Sequence, residues 1–166
     1  NEVANLTIQA NPNSRAIYTL SNYPDLGTLS LKNLTVTGQV QILTRAGTHK
    51  TNLVADSIDI VACDARRYSE QPQKYGVNVY QGAFTVYNFN SETKSVINAT
   101  LTNISLGRKG APVIGSGLFI CGFGDNGGWV IADSITTGDV YSHGMLPYGQ
   151  ADMITAGIFI VNGTKI

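Results

Sequence analysis

The chain carries little charge of either sign and contains no long apolar run. Only 11 of its 166 residues are basic and 11 are acidic, so the formal net charge is zero. A basic face that would neutralise nucleic-acid phosphates is therefore not expected, and we predict no nucleic-acid partner. No run of about 18 consecutive apolar residues occurs, so we also predict no membrane span.

Helix-forming patterns and cysteine are equally scarce. No long segment places apolar residues at three-to-four-residue spacing among good helix formers, which argues against a helical fold. The two cysteines, Cys63 and Cys121, fall at different phases of the repeat described below, so we expect buried free thiols and no disulfide. The abundant residues are instead 18 glycines, 16 threonines and 14 asparagines, a composition typical of strands joined by tight turns.

Seven short segments of the chain share one register. Each contains a residue suited to a sharp bend, followed directly by an apolar residue. The bend positions, spaced by 20 to 31 residues, are Asn5, Asn33, Ser57, Ala83, Asn103, Ser134 and Gly157. The residues that follow them are Leu6, Leu34, Ile58, Phe84, Ile104, Ile135 and Ile158.

The repeat reads as inward, outward, inward, then two outward residues, then inward, outward, inward. A single flat strand cannot produce this order, because its side chains alternate with a period of two. Two strands joined by a two-residue corner can, and Asn and Gly suit the left-handed backbone of such a corner. We expect one inward column to contain Leu34, Ile58, Phe84, Ile104 and Ile135.

With this corner, the chain resembles the right-handed parallel β-helix family, the pectate-lyase-like solenoids. Members have three strands per coil and a two-residue corner, often with stacked asparagines, which Asn5, Asn33 and Asn103 match. The resemblance implies an all-β fold, a right-handed parallel β-helix of about seven coils over residues 1–166. We expect this single domain to be a fragment of a longer solenoid, with neighbouring coils of a parent chain as its partners. An antiparallel β-sandwich is the alternative.

Catalytic residues of that family are not found as a set. Of the polygalacturonase-like motifs, only Ser142-His143-Gly144 resembles one piece, and the required pair of aspartates is missing. Asp56, Asp59 and Asp64 lie close in sequence but at different phases of the repeat, so they are not expected to share a calcium ion. We predict no catalytic residue, no metal ligand and no cofactor, although a polysaccharide lyase or glycoside hydrolase with an unrecognised site remains the alternative.

Function is expected on the segments between repeats, because solenoids carry binding residues on insertions along one side. Asp64 and Tyr141 each lie seven residues after a bend residue, so segments 64–75 and 141–148 should leave the coil at one edge. Three coil steps between them would span roughly 15 Å. Aromatic rings beside arginines suit a glycan or protein ligand. The predicted ligand-binding residues are Arg66, Arg67, Tyr68, Tyr75, Tyr141 and Tyr148.

The sequence therefore predicts a non-enzymatic segment of a secreted or cell-surface protein. It would act as a stalk or as an adhesin-like surface that recognises a glycan or a protein. The outward positions two residues after each bend are interpreted as ordinary exposed strand residues, for which threonine is well suited. These positions are Thr7, Thr35, Asp59, Thr85, Ser105, Thr136 and Phe159.

Overall fold

The computed structural model describes residues 1–21, 27–44, 50–65, 82–88, 96–121, 127–141 and 157–161. Within these ranges the chain forms 13 strands and no helix. The strands are β1 (Glu2–Gln9), β2 (Arg15–Ser21), β3 (Gly27–Thr37), β4 (Gln39–Thr44), β5 (Lys50–Val61), β6 (Cys63–Asp64), β7 (Gly82–Asn88), β8 (Val96–Leu106), β9 (Val113–Ile114), β10 (Ser116–Cys121), β11 (Gly128–Thr137), β12 (Val140–Tyr141) and β13 (Ile158–Val161).

These strands form three sheets in which neighbouring strands run parallel. Sheet A has the order β1-β3-β5-β8-β11, sheet B the order β13-β10-β7-β4-β2 and sheet C the order β12-β9-β6. Each pair of named strands that hydrogen-bond is parallel, and an antiparallel bridge joins only Arg108 to Ala111 within the described residues. The predicted all-β class with parallel strands is confirmed, and the antiparallel sandwich is not supported.

The chain visits the sheets in a fixed order. We call the stretch from one sheet A strand to the next a pass. In each of the first two passes the chain runs from sheet A to sheet B, and in each of the next three it runs from sheet A through sheet C to sheet B. Each pass places its strands beside those of the preceding pass. The described strands thus make five passes, whereas about seven coils were predicted for the whole chain.

The long strands of sheet A bend sharply at their predicted corner residues. The residues with left-handed φ angles between 50° and 57° include Asn5, Asn33, Ser57, Asn103 and Ser134. The corner is confirmed at these five positions. It is wrong at Ala83, which lies in β7 of sheet B and has no positive φ, and at Gly157, which immediately precedes β13 of the same sheet.

The inward column after the bend is confirmed within sheet A. The register pairs Leu6 with Leu34, Leu34 with Ile58, Ile58 with Ile104 and Ile104 with Ile135. Phe84 does not belong to this column. It lies in sheet B, where its register partners are Val40 and Leu118. The alternation of β7 is the same as that of a sheet A strand, so the local pattern could not tell the two sheets apart.

The core lies between the sheets and is filled by these inward columns. Phe84, Leu101, Ile104 and Ile60 are fully buried in one continuous cluster with residues from sheets A and B. Cys63 and Val113 of sheet C belong to the same cluster. The three sheets therefore share a single apolar interior, which leaves their outward side chains for function.

Cys63 is a free and buried cysteine on β6, as predicted. Burial raises the pKa of its thiol well above the ordinary range, and the nearby charge of Asp64 adds to the effect. A thiol in this state stays protonated and unreactive at neutral pH. The side chain of Cys121, on β10, lies outside the described part of the structure.

Candidate functional site

Most of the residues predicted to bind a ligand lie outside the described ranges. These are Arg66, Arg67, Tyr68, Tyr75 and Tyr148. Tyr141 is the exception, because its backbone forms the end of β12, where it pairs with Ile114. Ile114 pairs in turn with Asp64 of β6. Segments 64–75 and 141–148 thus begin at equivalent register positions of sheet C. They begin two strand steps apart, about 10 Å, where we predicted three steps.

The outward side chains of sheet B are largely buried along β4, β7 and β10, whereas Tyr18 on β2 is exposed. Gln39 and Gln41 point away from the core, yet both are fully buried. The Gln41 side-chain amide donates to the Gln39 carbonyl oxygen at 3.2 Å, and the Gln39 amide donates to the backbone of Gly82 at 3.4 Å. Their outward neighbours Thr85 and Phe119 are buried as well. The side-chain amides of both glutamines therefore donate to groups within the protein.

Sheet A is different, because its outward side chains reach solvent. Along β5, β8 and β11 they alternate with buried residues such as Leu53, Ala99 and Val130. The register aligns the three strands, so the outward residues form a grid. We call this grid the sheet A patch. It contains Lys50, Asn52, Val54, Val96, Asn98, Thr100, Trp129 and Ile131.

Three large apolar side chains of the sheet A patch are exposed. Val54 on β5 is 37% exposed, Trp129 is 41% exposed and Ile131 is 56% exposed, although all three lie within strands. Trp129 and Ile131 occupy consecutive outward positions of β11, so both point away from the core. Exposed tryptophan rings are enriched where proteins bind partners.

The Trp129 ring lies at the end of a row of polar residues that crosses the strands. Trp129 is the register partner of Asn98, which pairs with Asn52, which pairs with Thr28. The Asn98 amide donates to the Asn52 carbonyl oxygen at 3.4 Å. Each amide has two donor hydrogens and an oxygen with two lone pairs, so one bond leaves further capacity on both side chains. We call these four residues the Trp129 row.

The Trp129 row was not predicted, although the repeat contains a signal for it. Each of Thr28, Asn52, Asn98 and Trp129 lies five residues before a bend residue. Alternation places that position on the outward face of the strand. The outward column that was predicted lies after the bend instead. That column is in register for Thr7, Thr35, Asp59, Ser105 and Thr136, whereas Thr85 and Phe159 lie in sheet B.

The acidic residues of sheet A have structural partners. Asp59 forms an ion pair with Arg108, which follows the end of β8. Asp56 accepts hydrogen bonds from Ser57 and Asn103. No group of three or more His, Cys, Asp or Glu side chains with the geometry of a metal site occurs among the described residues. Asp56, Asp59 and Asp64 do not form such a group.

No helix in the described part of the chain is long and apolar enough to cross a membrane. Comparison of the chain with protein-family models, with curated proteins and with solved structures finds no match. Function must therefore be inferred from the geometry of the sheet A patch.

Proposed function

We propose that the three sheets are the faces of a right-handed parallel β-helix of the pectate-lyase-like kind. The order of the strands supports this: the chain always runs from sheet A to sheet B, through sheet C in the last three passes, and each pass stacks on the one before. The right hand follows from the general rule for crossovers between parallel strands. The left-handed bend at Asn5, Asn33 and Asn103 matches the corner of that family.

This β-helix acts as a non-enzymatic segment of a secreted or cell-surface protein, and its exposed sheet binds a glycan. The observation that carries the proposal is the exposed ring of Trp129 in register with the amides of Asn98 and Asn52. The electron-rich face of an indole attracts the C–H groups on the flat side of a sugar ring. Amides both donate and accept, which suits sugar hydroxyl groups.

The interactions that Asp56 and Asp59 make favour glycan binding over glycan hydrolysis. Glycoside hydrolases place two carboxyl groups on either side of the scissile bond, with one free to give a proton. Asp59 is held by Arg108, and Asp56 is held by the Asn103 amide. Neither lies in the Trp129 row.

The residues predicted in segments 64–75 and 141–148 remain a hypothesis for a second part of the recognition surface. Arg66, Arg67, Tyr68, Tyr75, Tyr141 and Tyr148 would contribute rings and guanidinium groups near sheet C. Affinity measured for a Tyr68→Ala, Tyr148→Ala double variant decides whether this surface takes part. A loss in that variant would add sheet C to the binding surface, and no change would restrict binding to sheet A.

A glycan array followed by titration of the best ligand tests the proposal. Trp129→Ala should lower the affinity at least tenfold, about 1.4 kcal/mol, because the stacked ring is lost. The matched control is Tyr18→Ala, which removes a ring that is similarly exposed but lies on β2 of sheet B. The proposal would be contradicted if the protein bound no glycan on the array, or if the two variants lost affinity equally.

A separate assay addresses the catalytic alternative. We expect no release of sugar fragments from polygalacturonate or alginate in the presence of calcium. Fragment release that is lost in Asp64→Asn or His143→Ala would overturn the non-enzymatic proposal.

A further inference from the structure

We infer that the glycan is a linear, uncharged and extended chain that crosses the strands of sheet A along the Trp129 row. One sugar ring stacks on Trp129, and the next units lie over Asn98 and Asn52 toward Thr28. This inference rests on the proposed function and specifies the ligand class and its direction.

The length of the Trp129 row sets the length of the ligand. Its four residues are joined by three register steps between neighbouring strands. At about 4.8 Å per step the row spans about 14 Å. An extended chain of about three pyranose units has a similar length, so a trisaccharide would fill the row.

The direction follows from what lies on either side of Trp129. Along β11 the next outward residues are Ile131 and then Asp133, an apolar side chain followed by a carboxylate. Across the strands the next residues are two amides and a hydroxyl. A hydroxyl-rich chain therefore finds hydrogen-bond partners at successive units only if it runs across the strands.

The hydrogen bond between the two asparagines orients them for this role. Because the Asn98 amide donates to the Asn52 oxygen, the two side chains lie along the row. Each retains at least one donor and one acceptor site for a hydroxyl group, which can itself donate and accept. The carboxylate of an acidic sugar would need donors alone, preferably charged ones, and the row contains no charged side chain.

The Trp129 ring and the amides of Asn98 and Asn52 should contact different sugar units of the ligand. Trp129 contacts the first unit and is needed for a ligand of any length. Asn52 lies two register steps from Trp129, about 10 Å away, and is reached only by a longer ligand. Removal of Asn52 should therefore weaken long ligands and leave short ones unaffected.

The experiment is a titration of the protein with β-1,4-linked glucose oligomers of one to six units. Affinity should rise with each unit up to about three units and then level off. Asn52→Ala should weaken the trimer about fivefold, the effect of one lost hydrogen bond, and leave glucose unchanged. Thr102→Ala, an outward change on β8 outside the row, is the control. The α-1,4-linked oligomers, which curl, should bind more weakly than the β-1,4-linked series.

The outcomes separate this inference from the proposed function. Binding that needs Trp129 but does not change with ligand length or with Asn52→Ala overturns the inference and leaves glycan recognition standing. A preference for a branched or acidic glycan on the array, with no binding of the β-1,4-linked series, also overturns the inference and leaves glycan recognition standing. Binding of no glycan at all overturns both.

Discussion

The side-chain amide of Asn103 donates a hydrogen bond to a carboxylate oxygen of Asp56 at 3.2 Å. The two residues lie at the bend on neighbouring strands of sheet A. A bond of the same kind joins the Asn33 amide to the Asn5 oxygen at 2.9 Å. Where the bend residue is Ser57, its hydroxyl also donates to Asp56 at 3.1 Å. The Asp56 carboxylate thus accepts a bond of the kind that the Asn5 amide oxygen accepts, and it joins the bends of β5 and β8.

Two substitutions of Asn103 should distinguish the contribution of its left-handed backbone to stability from that of its side-chain hydrogen bond. Asn103 has a φ of 54°, which costs an alanine roughly 1–2 kcal/mol but suits asparagine and glycine. We expect Asn103→Ala to lower the free energy of unfolding in urea by about 2 kcal/mol, and Asn103→Gly to lower it less. An equal loss in the two variants would show that φ is not the cause.

The inward column of sheet A should lose more stability at its centre than at its end. Ile104 is fully buried between Ile58 and Ile135, so Ile104→Ala should cost about 2–5 kcal/mol through lost burial and a cavity. Leu6 occupies the same column on β1 but is 52% exposed. Leu6→Ala should therefore cost less than half as much in the same urea experiment. Similar losses would mean that the column is not the core of the fold.

Gly128 should tolerate no side chain, because two costs combine there. Its φ is +107°, and a Cβ atom would overlap the backbone carbonyl oxygen of Ile97 on the neighbouring strand. Gly110 also has a positive φ, +78°, but a Cβ atom there meets nothing within 4 Å. Thermal unfolding should show a modest loss for Gly110→Ala, about 1–2 kcal/mol, and a clearly larger one for Gly128→Ala. Equal effects would remove the steric argument and leave only the backbone angle.

The buried thiol of Cys63 should make stability fall at alkaline pH. Burial raises the pKa of this thiol in the folded protein, whereas the unfolded thiol ionises near pH 8.5. Above that pH the unfolded state releases a proton that the folded state keeps, so the free energy of unfolding falls by up to about 1.4 kcal/mol per pH unit. Below that pH the thiol is protonated in both states, so its contribution to the free energy of unfolding does not change with pH.

Denaturation of the wild type and of Cys63→Ala between pH 7 and 10 measures this effect. The difference in stability between the two proteins should shrink as the pH rises, since only the wild type has the thiol. A difference that stays constant over this range would contradict the assigned cause. In the folded wild type, Cys63 should also resist a thiol reagent at neutral pH.

Local patterns in the sequence were enough to predict the strands and bends of sheet A. An apolar residue after each bend, with alternation on both sides, is a property of one short segment. It identified Asn33 and Asn103 as corner residues and Leu34, Ile58 and Ile104 as one column. The same pattern misassigned Phe84, because a strand of sheet B alternates in the same way and only its partners distinguish it.

By itself, then, the sequence determined which residues bend the chain and which side chains of a sheet A strand point inward. Those features depend on the backbone preferences and alternation of a few consecutive residues. Only the tertiary structure decided that Gln39 and Gln41 are buried on the outward side of sheet B while Trp129 is exposed on sheet A. It also placed Trp129 beside Asn98, 31 residues earlier in the chain. Exposure and neighbourhood depend on which other segments pack against a strand, and no single segment of the sequence contains that information.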